Sequence, residues 1–145
     1  MIEIKQIKAD ETYALRHLIL RPHQQIEDCI YETDFEETTF HIGVYQEGTL
    51  VTVVSFNKEN HPDYTFENQY RLRAMATLEM HRGKGLGRMA VTYAEAILRD
   101  LGVSFIWCNG RTNVENYYEK LGFKRRGEVF DYPPIGPHIV MVKTI

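Results

Sequence analysis

The sequence has little cysteine: two residues, Cys29 and Cys108, in a chain of 145. That excludes a disulfide framework, and two lone thiols fit a reducing cytoplasm. Neither belongs to a C-x-x-C pair, so the spacing gives zinc and dithiol chemistry no support, and no metal is expected. Long apolar runs are missing too. No stretch reaches the length of a membrane span, and the opening MIEIKQIKAD alternates where a signal peptide would run apolar. An excess of basic charge is also lacking. Seventeen Lys and Arg oppose twenty Asp and Glu, a net charge of -3 without a long basic run, which argues against general nucleic-acid binding. What is present is a globular balance, 43% hydrophobic and 26% charged, enough for one packed core. The length predicts one domain over residues 1–145, with no linker, repeat or low-complexity stretch. The expectation is a soluble, cytoplasmic protein whose oligomeric state is left open.

Periodicity divides the chain into alternating elements. MIEIKQIK reads as a strand, followed by a helix that Asp10 can cap and that carries Leu15, Leu18 and Ile19 on one side. Arg21-Pro22 should end that helix. Residues 23–38 are polar, mixed and acidic, the pattern of a surface loop, a short irregular helix or a mobile flap. Strands over 40–46 and 49–56 flank a turn at Glu47-Gly48, and a polar loop follows over 57–67. Residues 69–78 alternate, with Tyr70, Leu72, Ala74 and Ala76 on one face and Arg71, Arg73, Met75 and Thr77 on the other. After a glycine cluster, Leu86, Met89, Ala90, Tyr93, Ile97 and Leu101 recur at helical spacing, with Gly102 suited to the C-terminal cap. The apolar run 103–109 reads as a strand buried on both faces. A short helix over 113–121 and two closing strands, 123–132 and 137–145, complete a mixed α/β layer fold.

Arg82-Gly83-Lys84-Gly85-Leu86-Gly87 lies between a strand and an amphipathic helix. Glycines there let backbone amides approach a ligand closely, and the helix N-terminus adds an anion site suited to a pyrophosphate. The spacing does not fit a P-loop, because Lys84 precedes the second glycine and no Ser or Thr follows it. Nor does it fit the G-x-G-x-x-G of a dinucleotide fold.

Two strings carry a family resemblance. Arg82, Gly85 and Gly87 fit an R/Q-x-x-G-x-G/A signature, and Tyr117-Tyr118-Glu119-Lys120-Leu121-Gly122-Phe123 fits an aromatic-Tyr-Glu-Lys-Leu-Gly-Phe hallmark. Both are features of the GNAT superfamily of acetyl-CoA-dependent N-acetyltransferases, which the chain resembles over its whole length. LRHLILRP (15–22), YRLRAMATLE (70–79), WCNGRT (107–112) and DYPPIGPHI (131–139) resemble the glyphosate N-acetyltransferases within it. The resemblance implies the GNAT acyltransferase fold, of α/β (α+β) class, with a central mixed, mostly antiparallel sheet flanked by helices. It implies acetyl-CoA as co-substrate, its pyrophosphate on the loop Arg82, Gly83, Lys84, Gly85, Leu86, Gly87 and Arg88. Its pantetheine arm would pair with the strand edge at Met75 and Thr77, as an added strand completes a ladder.

The same resemblance implies that Arg21, Arg73 and Arg111 hold the anionic ends of a small amine substrate, such as an amino acid or aminophosphonate like glyphosate. Guanidinium forks suit carboxylate and phosphonate. Arg111 stands where many superfamily members carry asparagine, which also points to an anionic acceptor. His138 is implied as general base and suits it chemically, since imidazole titrates near neutrality. Pro133, Pro134 and Pro137 would stiffen its loop. Tyr118 is the candidate acid for the departing thiolate, with Tyr117 packing on the glycine turn. A buried Cys108 without a neighbouring base is a core thiol, although ping-pong kinetics would make it an acyl carrier. Two alternatives stay open: an acetyltransferase for peptide or protein amines, and a catalytically silent coenzyme A-binding sensor.

Overall fold

A computed structural model describes residues 1–133 and 135–145; the expected stiffening by Pro134 lies outside the described residues. Seven strands form one sheet in the order β1-β2-β3-β4-β5-β7-β6. They are β1 (Ile2–Ile7), β2 (Phe40–Gln46), β3 (Thr49–Lys58), β4 (Gln69–Thr77), β5 (Phe105–Arg111), β6 (Lys124–Tyr132) and β7 (Gly136–Thr144). All neighbours are antiparallel except β4 and β5. The mixed, mostly antiparallel sheet read from the family resemblance is thus the one observed.

Helix α2 (Leu86–Asp100) lies across one face and buries Leu86, Ala90, Val91, Ala94 and Leu98 against β2–β5 and β7. The expected stripe is rotated slightly. Met89, Tyr93 and Leu101 face solvent, because alanines and Val91 sit closest to the sheet and the larger side chains flank them. Gly102 closes the helix at φ 79°, and Glu47 and Gly48 make the β2–β3 turn with positive φ.

On the other face the first helix departs from its expected regularity. A 3-10 turn (Ala9–Thr12) leads into α1 (Tyr13–Leu15) and a π-helical segment (Arg16–Leu20). Asp10 does not cap it. Glu11 does, accepting a bond from the Lys8 amide at 2.9 Å. The change of helical pitch turns Leu18 out to solvent, 61% exposed, while Leu15 stays buried with Val53 and Ala76. The segment stops before Pro22, as expected.

A second departure lies in β4. Val53 pairs with Ala76 but Ser55 with Arg73, so β4 carries an extra residue, and Ala74 takes φ 54°. Such a bulge exchanges the faces of the residues after it. Met75 therefore packs with Tyr70 and Leu72 on the α2 side, and Ala76 joins Leu15 on the other. The strict alternation read from the sequence fails at this point.

The 23–38 segment is not a detached flap. It folds into two 3-10 turns, Ile26–Cys29 and Glu32–Phe35, and Asp34 reaches inward to the fully buried Arg16 at 2.6 Å. His41 completes this buried group. Ser55 Oγ accepts from Arg16 at 2.8 Å and lies within hydrogen-bond distance of His41 Nδ1, at 2.7 Å. Asp34 lies 4.0 Å from His41 Nε2. Burial pushes the His41 imidazole below its usual range, opposed by Asp34 and assisted by Arg16. As pH falls below about 6.5, the unfolded chain takes up a proton here that the folded chain refuses, so stability falls. Each unit between the two values is worth about 1.4 kcal/mol. Thermal melts between pH 7.5 and 5.5 should show a steeper loss for the wild type than for His41→Gln; equal slopes would remove His41 from the account.

Candidate active site

β4 and β5 lie side by side only from Gln69 to Arg71 against Phe105 to Trp107. Beyond Arg71 the bulged β4 stays with β3, and β5 follows β7. The parallel pair parts and opens a cleft of about 530 Å³. Past the fork, the β4 edge from Leu72 to Thr77 has no strand partner on the β5 side. Met75 and Thr77 both line the cleft.

At one end of the cleft stands the N-terminus of α2. Gly85 occupies the N-cap in a left-handed conformation, φ 75°, and no side chain caps the helix. The first-turn amides therefore keep their donors free for an anion. Gly83 has φ 78°, and a Cβ at either Gly83 or Gly85 would meet open space. These glycines serve backbone geometry and approach from outside, not internal packing. Gly87 is different: a Cβ there would run into the Tyr117 hydroxyl and lie 3.1 Å from Met75 Sδ. Arg82, Gly83, Gly85, Leu86 and Gly87 line the cleft. Lys84 and Arg88 do not; Arg88 instead donates to the Lys120 carbonyl at 2.6 Å. The residues present fit a pyrophosphate-bearing group, with uncapped amides where its charge would sit.

At the other end the register gathers polar side chains. Arg111 pairs across the β5–β7 ladder with His138, and Phe130 flanks His138 from β6. His138 is 5% exposed, and its ring lies 5.0 Å from that of Tyr132. The Gly136 carbonyl accepts a hydrogen bond from Nδ1–H at 2.8 Å. This fixes the tautomer and leaves the Nε2 lone pair free. Tyr118 comes from helix α3 (Glu115–Lys120). Its ring lies 3.2 Å from the place of a Cβ on Gly110, which must therefore be small. Burial, then the nearby Cys108, holds the Tyr118 phenol well above its usual range. It is a protonated donor at any working pH. Burial likewise pushes the Cys108 thiol up, which disfavours the thiolate an acyl carrier would need.

Arg21, Arg73 and Arg111 meet on the same cleft. None of the three forms an ion pair among the described residues, whereas Arg16, Arg71 and Arg125 each have a carboxylate. Arg111 donates to the Leu20 carbonyl at 2.8 Å, and Arg21 to the Tyr31 hydroxyl at 3.2 Å. Burial first, then Arg71, lowers the pKa of Arg73; burial first, then Arg21, lowers that of Arg111. Three arginines on one cleft, none ion-paired among the described residues, favour an anion there. The sequence reading missed Tyr31, which lines this end. Its only signal was an aromatic residue within an acidic stretch.

Solved structures of the same fold include acyltransferases. A putative N-acetyltransferase from Lactobacillus plantarum shares 21% identity, with a TM-score of 0.77 over 99% of this chain and 97% of that one. An aminoglycoside 6'-N-acetyltransferase complexed with coenzyme A shares 18%, with a TM-score of 0.76 over 98% and 96%. The chain belongs to the acetyltransferase (GNAT) family, whose model matches residues 4–123, and it is an acetyl-CoA-dependent N-acetyltransferase. Among curated relatives it is 49% identical, over 100% of this chain and 97% of the other, to the uncharacterized N-acetyltransferase YitI of Bacillus subtilis (strain 168).

Proposed function

We propose that this enzyme, a single cytoplasmic domain over residues 1–145, acetylates the amine of a small anionic acceptor, an amino acid or aminophosphonate of the glyphosate type. The observation that carries the reading is the convergence of Arg21, Arg73 and Arg111, none ion-paired among the described residues, on the cleft that His138 lines. An acceptor groove for a peptide or protein amine would be acidic, and the arginines argue against it. The two free, buried thiols accord with a reducing compartment.

Acetyl-CoA supplies the thioester. The first-turn amides of α2 and Arg82 hold its pyrophosphate, and the free β4 edge at Met75 and Thr77 takes the pantetheine arm. Arg21, Arg73 and Arg111 orient the acceptor through its anionic groups. His138 Nε2 removes a proton from the acceptor ammonium, which gives the nitrogen the lone pair that attacks the thioester carbon. A β4 amide near Met75 donates to the developing oxyanion. As the carbon–sulfur bond breaks, the protonated Tyr118 donates to the leaving thiolate, and the proton the acylated nitrogen still carries in excess goes to solvent, from which the phenolate is reprotonated. This is direct transfer in a ternary complex, so initial-rate plots should intersect; parallel ping-pong lines would point to an acetyl-enzyme.

Release of free coenzyme A thiol across amino acids, dicarboxylic amino acids and aminophosphonates tests the reading. Turnover confined to acceptors with at least one extra anionic group supports it. Silence across the panel would reject the small anionic acceptor and favour a peptide or protein amine. Arg73→Ala and Arg111→Ala should each raise the acceptor KM far more than the acetyl-CoA KM, by about 1.5–3 kcal/mol in transition-state binding. Equal effects on both substrates would assign these arginines to cofactor or fold.

A further inference from the structure

Arg16 is the largest fully buried side chain among the described residues, at 0% exposure. Its guanidinium grips Asp34 with both forks, Nη1 to Oδ2 at 2.6 Å and Nη2 to Oδ1 at 3.0 Å. It also donates to the Cys29 carbonyl and Ser55 Oγ, each at 2.8 Å. Desolvating such a pair costs enough that apolar replacements of similar volume are often as stable. A bare need for stability therefore does not account for it.

What the pair holds is specific. Asp34 Oδ2 also accepts the Tyr31 backbone N–H at 3.0 Å, and the Arg16 guanidinium lies 4.2 Å from the Tyr31 ring centroid. Tyr31 is in turn the rest for two cleft arginines. Arg73 lies 4.4 Å from its ring centroid, and Arg21 Nε donates to its hydroxyl at 3.2 Å. The remaining side-chain bonds of these arginines go to Thr33 and Gln24 of the same segment. Both guanidinia thus take their positions from residues 24–33, which Arg16 and Asp34 tie to the sheet.

We infer that Arg16 and Asp34 are positioning residues for the acceptor: their buried pair sets Tyr31, and through it the directions of Arg21 and Arg73. The inference rests on the anionic-acceptor reading above and deepens it. Misaligned forks lose bidentate binding although no charge is removed from the cleft.

The test uses the full enzyme loaded with coenzyme A and glyphosate as the probe, with both dissociation constants measured by calorimetry. Asp34→Asn should weaken glyphosate roughly 10–100-fold and leave coenzyme A within about twofold of wild type. Added to Tyr31→Ala, it should cause no further loss, because residues acting through one another are not additive. Wild-type glyphosate affinity in Asp34→Asn, or an additive loss in the double variant, overturns the inference. If Asp34→Asn does not fold, Arg16→Lys keeps the charge but lacks the planar fork, and is held to the same outcomes. Arg73→Ala separates the two levels. If it loses glyphosate while folded Asp34→Asn does not, only the positioning role falls. If Arg73→Ala binds glyphosate like wild type, the anionic-acceptor reading falls and takes the inference with it.

Discussion

Replacing His138 by alanine is expected to lower kcat on the order of 10²–10⁴-fold while coenzyme A binds as before. The acceptor arrives as an ammonium with no lone pair, so its nitrogen cannot attack until a base takes a proton. His138 is set for that task. Gly136 engages Nδ1–H, which turns a lone pair on Nε2 toward the cleft without a second tautomer competing. Retention of most of kcat would assign deprotonation to a water or another group. The coenzyme A dissociation constant is the control that distinguishes lost chemistry from a lost fold.

The second large effect is expected at Gly85. Valine there must hold φ 75°, which β-branched residues resist at a cost of about 1–3 kcal/mol, or else the loop turns its amides elsewhere. The first outcome lowers the melting temperature. The second removes the donors on which a pyrophosphate would sit. Loss of two charge-assisted bonds, about 1.5–3 kcal/mol each, corresponds to roughly 10²–10⁴-fold in acetyl-CoA affinity. Because a Cβ at this position meets open space, core packing should survive, and circular dichroism should stay native. Unchanged affinity by calorimetry would remove this turn from the cofactor site.

Much of the fold was legible because periodicity encodes it. The strands, the Glu47-Gly48 turn and the α2 helix with its glycines at both ends follow from spacing alone. The bulge at Ala74 did not, because one extra residue leaves no mark in a sequence whose neighbours remain plausible on either face. It exists only through the register with β3. The π-helical turn after Leu15 hid in the same way, and moved Leu18 to the surface. The glycine turn, His138 and the three arginines, singled out through motif strings and the family resemblance, do line one cleft; their roles are the proposal above. Arg16 was not legible: an arginine in an amphipathic segment reads as solvated, and only the tertiary placement of Asp34 and Ser55 makes its burial tolerable. Lys84 and Arg88, whose amides the resemblance assigns to the pyrophosphate, are not among the residues that line the cleft.

The sheet order carries a consequence for the chain as it is made. Strands β1 to β4 pair in the order in which they leave the ribosome, so each finds its neighbour already present. β7 breaks that sequence, because it inserts between β5 and β6. Until Gly136–Thr144 emerges, β6 has no ladder and His138 no partner strand. A nascent chain stalled before Gly136 would hold the glycine turn and α2 but lack His138, the proposed base. On the proposed mechanism, acetyl-transfer competence would therefore appear abruptly, once Gly136–Thr144 has emerged.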